Sequence, residues 1–367
     1  MIKGLIKFFL SIFLRLLLSF TRKKPYDHEI GKSILFIVVK PTGIGDLLMD
    51  TPSIRKIRNK YPDKKISLLT DRDMFGRTKL FDEVIIIKGF LNQLKYSLKN
   101  RRKYDLVILL NKNLLASILS FPLFNIYLLG YVHSWKVTSN IKDVKGEFKI
   151  YKTHLHHMGL EVIKNLGFKD QSWKMERLRH NKEELARVKD LIIYSPKEKL
   201  VVVNTPCIWP SRAWPKKSYI KLIKMLLKEN YKVVVHGGPG DYKYNKDIDY
   251  VFEEEPLYID VTGKVNMYES SALFKLCDLM ITNDAGPMHI GISEETNLLS
   301  LWGPTDPWRR IPLNLINRKF HFICPEGICE DAYNFERPPR SYDRMKYITP
   351  KKVFDKAIHL LKKPKNI

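Results

Sequence analysis

Short, unbroken apolar runs recur along this chain, separated by longer stretches with helical spacing, and that rhythm limits the folds open to it. In the first half the runs are SILFIVV (33–39), KISLLT (65–70), EVIII (83–87), YDLVILL (104–110) and NIYLLGY (125–131). Continuous apolarity is what a strand buried on both faces requires, as in a parallel sheet covered by helices on each side. Residues 46–61 and 152–167 have helical spacing, the second ending at Gly167 as a stop signal. A charged stretch follows, and the rhythm then restarts with KLVVVNTP (199–206), YKVVVHGG (231–238), LYIDVTG (257–263), DLMITND (278–284) and NLLSLWG (297–303). Helices are expected between them at 216–230 and 267–277, and a last one at 350–363 packs back on the body. Two doubly wound α/β units of this kind place a ligand cleft between facing strand ends. The boundaries read as 32–170 for a Rossmann-like N-terminal domain, 171–198 for a linker, 199–349 for a Rossmann-like C-terminal domain and 350–367 for the closing helix.

The segment ahead of the first run has another character. In MIKGLIKFFLSIFLRLLLSFTRKK (1–24), Lys3, Lys7, Ser11, Arg15 and Ser19 recur every four residues, which on a helix makes one slowly spiralling polar stripe. Phe, Leu and Ile fill the remainder, and Arg22, Lys23 and Lys24 close it. This predicts an amphipathic helix lying in the membrane interface with its cations toward anionic headgroups. Arg15 near the middle argues against a spanning helix, and no small-residue cleavage site follows to mark a signal peptide. A spanning helix is nonetheless the next reading, and packing of this helix against a protein partner is another. The charge balance points the same way: 64 Lys and Arg against 39 Asp and Glu give +25, an excess suited to a polyanionic or phosphorylated partner. Four scattered cysteines form no disulfide framework and indicate a reducing compartment.

The loops after the runs carry the chemistry. TNDAGPMHIG (282–291) runs from a strand into Asp284, Ala285 and Gly286, with Pro287 opening a helix whose free amides form a natural diphosphate cradle. WGPTDPWR (302–309) offers Thr305 and leads into the basic pair Arg309 and Arg310. NTPCIWPSRAWPKK (204–217) offers Arg212, Lys216 and Lys217. Amides, hydroxyls and cations at three strand ends of one unit fit a nucleoside diphosphate. Each feature alone has an ordinary structural explanation: Asp284 as a helix cap, Thr305 as a turn residue, the lysines as solvated surface. In the first unit, KPTGIGDLLMDTP (40–52) looks like a nucleotide loop, yet it lacks both the third glycine of a dinucleotide fingerprint and a P-loop ending. Asp46 stands where a phosphate would be repelled, so this loop suits a different ligand.

Together, KPTGIGDLLMDTPSIR, TNDAGPMHIG and LWGPTDP resemble glycosyltransferase family 9, the lipopolysaccharide heptosyltransferases. The likeness extends from about Lys32 to the last helix and includes the Arg212–Trp214–Pro215 segment. It implies a GT-B fold: two Rossmann-like domains facing across a cleft, with the acceptor on the first and a nucleotide-activated sugar on the second. It also implies inversion at the anomeric carbon, with no cofactor and no metal. By position, Asp46 becomes the general base, and Thr42, Gly43 and Gly45 form the acceptor-side loop. Arg212 faces the donor phosphates, with Lys216 nearby. Asp284, Ala285, Gly286, Pro287, Met288 and His289 form the diphosphate loop with Thr305, Asp241 lies near the ribose, and Met267 flanks the base. Ala285 replaces the Thr or Ser usual in the family. The chemistry agrees: an attacking hydroxyl needs a positioned base, and a departing diphosphate needs cations where its charge develops.

The implied substrates are ADP-heptose and a lipid-linked saccharide, at the cytoplasmic face of a bacterial inner membrane. A family member transferring another sugar, such as N-acetylglucosamine, is the alternative enzyme; a non-catalytic nucleotide-sugar-binding assembly protein is the alternative of another class. Nucleic acid is not an expected partner, since no recognition motif accompanies the lysines. Asp71-Arg72-Asp73 matches a metal-binding Asp-X-Asp only formally and reads as a polar turn. His154 and His157 lack a clear third ligand.

Overall fold

The structure, a computed structural model, describes residues 31–39, 43–73, 75–110, 114–132, 135–139, 155–164, 166–168, 174–205, 210–311, 316, 318–325 and 344–362. The helix expected at 1–24 lies outside them, as does Thr42. The chain divides into two compact units, one holding the described residues up to Lys174 and the other those from Met175 onward.

The first unit runs β1 (Ser33–Val38), α1 (Ile44–Lys60), β2 (Lys65–Thr70), β3 (Glu83–Ile86), α2 (Phe90–Lys99), β4 (Tyr104–Leu109), α3 (Leu114–Leu123), β5 (Phe124–Val132), β6 (Trp135–Ser139) and α4 (Leu155–Lys164). Its sheet has the order β3-β2-β1-β4-β5-β6. Every pairing is parallel except β5 with β6. The apolar runs formed strands because both faces are covered: Ile34, Leu35 and Phe36 have no exposure at all. The antiparallel edge strand β6 belongs to no apolar run, as an edge position does not demand burial on both sides. Helices α1 and α4 meet at Gly159, where a Cβ would come within 2.8 Å of Ser53 Oγ and 3.0 Å of Asp50 Oδ1.

The second unit runs α5 (Lys182–Leu191), β7 (Leu200–Asn204), α6 (Lys216–Lys228), β8 (Lys232–His236), α7 (Tyr242–Phe252), β9 (Tyr258–Asp260), α8 (Met267–Leu276), β10 (Leu279–Asn283), α9 (Gly286–Ser293), β11 (Leu298–Leu301), β12 (Phe320–Ile323) and α10 (Pro350–Lys362). All its pairings are parallel, in the order β12-β11-β10-β7-β8-β9. Helix α5 sits within the stretch read as a linker. It is capped by Asn181 and Glu184 and tied to α8 by the Arg187–Glu269 ion pair. Helix α10 packs Val353, Ala357, Leu360 and Leu361 into the same core as Trp214, Tyr219 and Leu222.

Counted within each unit, both sheets follow the order 3-2-1-4-5-6. The direction of winding reverses between β1 and β4 in the first and between β7 and β10 in the second. Doubly wound sheets bind ligands outside the carboxyl ends of the strands at this reversal, because the connecting loops diverge there and leave a crevice. The loops that matter are therefore those after β1, β7 and β10.

Beneath the second of these crevices runs a buried polar row. His236 Nδ1 lies 2.7 Å from Asn204 Oδ1 and its Nε2 lies 2.9 Å from Ser270 Oγ. Asn204 donates to Thr282 Oγ1, and Asn283 donates to the Tyr219 hydroxyl at 2.7 Å. Burial drives the His236 imidazole down to about 4. An unfolded chain takes up that proton near pH 6.5, the folded chain only near pH 4, so stability is whole above 6.5 and falls as the pH drops toward 4. Denaturant titrations at pH 7, 6 and 5 should show this loss. His236→Gln should remove about 1 kcal/mol per pH unit from the slope; an unchanged slope would mean that His236 titrates alike in the folded and unfolded chain.

Cys324, just after β12, is disulfide-bonded, whereas Cys277 is free and buried.

Candidate active site

Three loops of the second unit meet on one carboxylate. Asp284 follows β10 directly and is buried. Its Oδ2 lies 3.1 Å from Arg212 Nη1, 3.6 Å from Arg310 Nε and 2.8 Å from Thr305 Oγ1, which donates to it. Burial alone would push this carboxyl up. Arg212 and then Arg310 outweigh it, with help from Thr305, and hold the group below the usual carboxylate range.

Local sequence explains how each partner is placed. Arg212 ends a short 3-10 turn, Pro210–Arg212, and two residues on Trp214 is buried completely. Its indole donates to the Ile348 carbonyl at 2.8 Å and meets Tyr219 edge-on, with ring centroids 5.0 Å apart. That anchor fixes the turn carrying Arg212. Gly303 is required on the other side: a Cβ there would lie 2.8 Å from Met345 Sδ and 3.3 Å from the Ser211 carbonyl. After it, Asp306 Oδ1 accepts from Trp308 N at 2.9 Å and caps the turn Pro307–Arg309. The turn swings Arg310 back toward Asp284. Residue type alone leaves Arg309 and Arg310 an undivided basic pair. The signal that separates them is Asp306-Pro307, a cap followed by a proline at the first position of a turn.

Helix α9 begins at the same place. Ala285 is its N-cap in extended conformation and, lacking a polar side chain, makes no capping bond. Pro287 contributes no amide hydrogen, and Met288 N bonds the Ala285 carbonyl at 3.1 Å. Helix α8 differs: Asn266 accepts from Tyr268 N and Glu269 N, and Glu269 accepts from Asn266 N at 2.7 Å. Its first-turn amides are used internally, whereas among the described residues no capping side chain takes those of α9. An anion is therefore better received at Gly286 than at Met267. His289, one turn into α9, is buried, and burial drives its imidazole down to about 4, the two arginines adding to this and Asp284 opposing it. It is neutral at pH 7 and adds no charge.

Lys216 is not in this cluster. Its amine pairs with Asp247 of α7 and stands 4.6 Å from the Tyr244 ring centroid, because it opens α6 on the side facing α7. Arg310 supplies the second cation instead. Asp241 follows β8, where its Oδ2 accepts from Gly238 N at 2.8 Å; burial pushes its carboxyl up, with that bond opposing. Met267 opens α8 and is half-buried. Both stand at the β8–β9 side of the reversal point, across β7 from Asp284.

In the first unit the loop after β1 leads into α1. Gly43 is its N-cap with φ −87°, and Asp46, the third helical residue, accepts from Gly43 N through Oδ2 at 2.9 Å. Asp46 is half-buried and its other oxygen makes no hydrogen bond among the described residues. Gly43 needs no unusual backbone angle, and a Cβ on it would meet only Asp46 Oδ2 at 3.6 Å. What the glycine provides is open space beside the carboxylate. Gly45 is buried within α1. The Asp71-Arg72-Asp73 segment is a polar turn: Asp71 pairs with Arg72 at 3.0 Å and Asp73 accepts from Gly76 N at 3.1 Å.

The sequence model described as glycosyltransferase family 9 (heptosyltransferase) matches residues 92–331. Lipooligosaccharide heptosyltransferase 2 of Haemophilus influenzae is 23% identical over 301 residues, covering 76% of this chain and 86% of that protein. Among solved structures, a glycosyltransferase family 9 protein of Veillonella parvula superposes with a TM-score of 0.71 at 23% identity, covering 91% of this chain and 98% of the other. The ADP-heptose lipopolysaccharide heptosyltransferase II of Escherichia coli gives 0.70 at 20% identity, with 90% and 98% covered.

Proposed function

This chain belongs to glycosyltransferase family 9, and from that premise we propose that it is an inverting transferase of GT-B architecture. It moves a heptose from ADP-heptose to a lipid-linked saccharide such as a lipopolysaccharide core. The observation that carries the donor half is the convergence of Arg212, Arg310 and Thr305 on Asp284 at the start of α9. Two guanidinium groups beside uncapped helix amides suit a diphosphate whose charge grows as the glycosidic bond breaks. Asp284 acts as an internal counter-ion that keeps both arginines in place. The names of the similar proteins support heptose and ADP as the donor's parts.

Asp46 carries the acceptor half. One carboxylate oxygen is held by Gly43 N, leaving the other to take the proton from an attacking hydroxyl. As the sugar gains oxocarbenium character, a carboxylate on the attacked face also stabilises it. Attack opposite the departing diphosphate inverts the anomeric centre. A lipid-linked acceptor and the basic N-terminal sequence support a site of action at the cytoplasmic face of the inner membrane, reached from the surface. No helix among the described residues is long and apolar enough to cross a membrane.

The test is a donor panel. ADP-heptose, UDP-N-acetylglucosamine and GDP-mannose are each supplied with a heptose-deficient core acceptor, with and without EDTA, and products are read by mass spectrometry and anomeric NMR. Addition of one heptose from ADP-heptose, inverted and insensitive to EDTA, is expected. Transfer of another sugar would move the chain to a different specificity within the family, and donor binding without any product would make it a non-catalytic binder.

A further inference from the structure

Helix α2, FLNQLKYSLK, carries two apolar stripes: Phe90 and Leu94 pack partly buried against the core, and a second stripe faces away from it. The helix's fully buried residues are polar: Gln93, whose amide donates to the Ile87 carbonyl at 2.8 Å, and Ser97, whose hydroxyl donates to the Gln93 carbonyl at 3.0 Å. Leu91 and Leu98 face outward at 71% and 58% exposure. They lie two turns apart on one stripe, with exposed Lys95 between them. Ile86, closing the edge strand β3 just before the helix, is 45% exposed.

The charge around this stripe has one sign. Lys88, Lys95, Lys99, Arg101, Arg102 and Lys103 are all exposed, and no carboxylate occurs between Glu83 and Asp105. Those two flanking acids are occupied: Glu83 pairs with Lys65 at 2.8 Å, and Asp105 accepts from Lys32 N at 2.7 Å and Ser33 N at 3.1 Å. A left-handed residue, Arg102 with φ 55°, is pinned by its amide to the Pro122 carbonyl at 2.8 Å and holds the cationic turn at the end of the helix.

We propose that α2 and the end of β3 form a docking face that lies against an anionic phospholipid surface. Leu91, Leu98 and Ile86 enter the boundary below the headgroups while the six cations meet the phosphates, the arrangement that holds amphipathic helices at interfaces. Three apolar side chains are too few for a stable protein interface, which takes roughly 800 Å² from each partner. A second copy of the same face would set cations against cations. An anionic bilayer answers both the leucines and the charge. The inference stands on this face alone and does not depend on which sugar is transferred.

The test uses the full chain and vesicles of phosphatidylcholine with or without phosphatidylglycerol. A Leu91→Cys variant carrying an environment-sensitive dye should brighten and shift to the blue with anionic vesicles only. A dye at Tyr250→Cys, on α7 of the other unit, should not change, and wild type labelled in parallel gives the background. Leu91→Ser with Leu98→Ser should weaken binding to anionic vesicles about tenfold or more, and Lys95→Glu about fivefold or more. These side chains are exposed, so circular dichroism should be unaltered. An unshifted dye at position 91 on vesicles that do pellet the protein would overturn the proposal, leaving binding to another segment. So would a dimer, seen by light scattering without lipid, that the double serine variant dissolves. Donor transfer to a delipidated acceptor should be unaltered in these variants, which separates failure here from failure of the transferase reading.

Discussion

Asp46→Asn is expected to lower sugar transfer about a thousandfold while donor affinity stays unchanged. The substitution separates two jobs held by one side chain. As the third residue of α1, Asp46 accepts from Gly43 N and closes the start of the helix. Asparagine can still accept that hydrogen bond through its carbonyl oxygen, so the helix start survives. It cannot take a proton from an acceptor hydroxyl. Asp46→Ala removes both functions and should also cost about 1 kcal/mol of stability through the lost cap. Single-turnover rates with saturating donor, beside calorimetric binding of ADP, make the comparison. If the asparagine variant keeps a tenth or more of the rate, Asp46 is a capping residue and another group is the base.

Arg212→Ala should reduce turnover by a factor of about a hundred to a thousand and weaken ADP binding with it. Arg212 lies nearest to Asp284 of the two cations and is held by the Trp214 anchor, so its guanidinium needs no reorganisation as charge develops on the leaving diphosphate. Arg212→Lys restores charge but not the planar fork, and partial recovery is expected. Arg310→Ala should act in the same direction and less strongly, since Arg310 stands farther from the shared carboxylate. The two losses should not add, because both arginines answer to Asp284 and removing one lets the other re-aim. Full activity in Arg212→Ala would place the diphosphate elsewhere.

Much of this was legible in the sequence. Helices expected at 46–61, 216–230, 267–277 and 350–363 occur at Ile44–Lys60, Lys216–Lys228, Met267–Leu276 and Pro350–Lys362. Strands that must be dry on both faces read as unbroken apolar runs, and the two glycine-bearing signatures stood out because ordinary core strands have no use for them. Helix α2 went unread, and for a physical reason: its apolar residues are split between two faces, Phe90 and Leu94 packing inward and Leu91 and Leu98 pointing out, which blurs the helical period. Strand β6 and helix α5 escaped for a related reason, since neither has the continuous apolarity that marks a central strand.

At the site the division is sharper. That 40–52, 204–217, 282–291 and 302–309 are chemical loops at strand ends follows from residue types and spacing, which are local properties. Which loops meet does not. Lys216 and Arg310 are both cations in segments that follow strand ends, yet one pairs with Asp247 and the other reaches Asp284. The order in which strands hydrogen-bond decides that, and it is set by packing among residues far apart in the chain. The sequence thus determined two doubly wound units, the identity of the loops and Asp46 as the residue out of place for a phosphate. Only the tertiary structure chose the reversal points, assembled the two arginines on one buried carboxylate and left a basic, leucine-bearing helix facing outward.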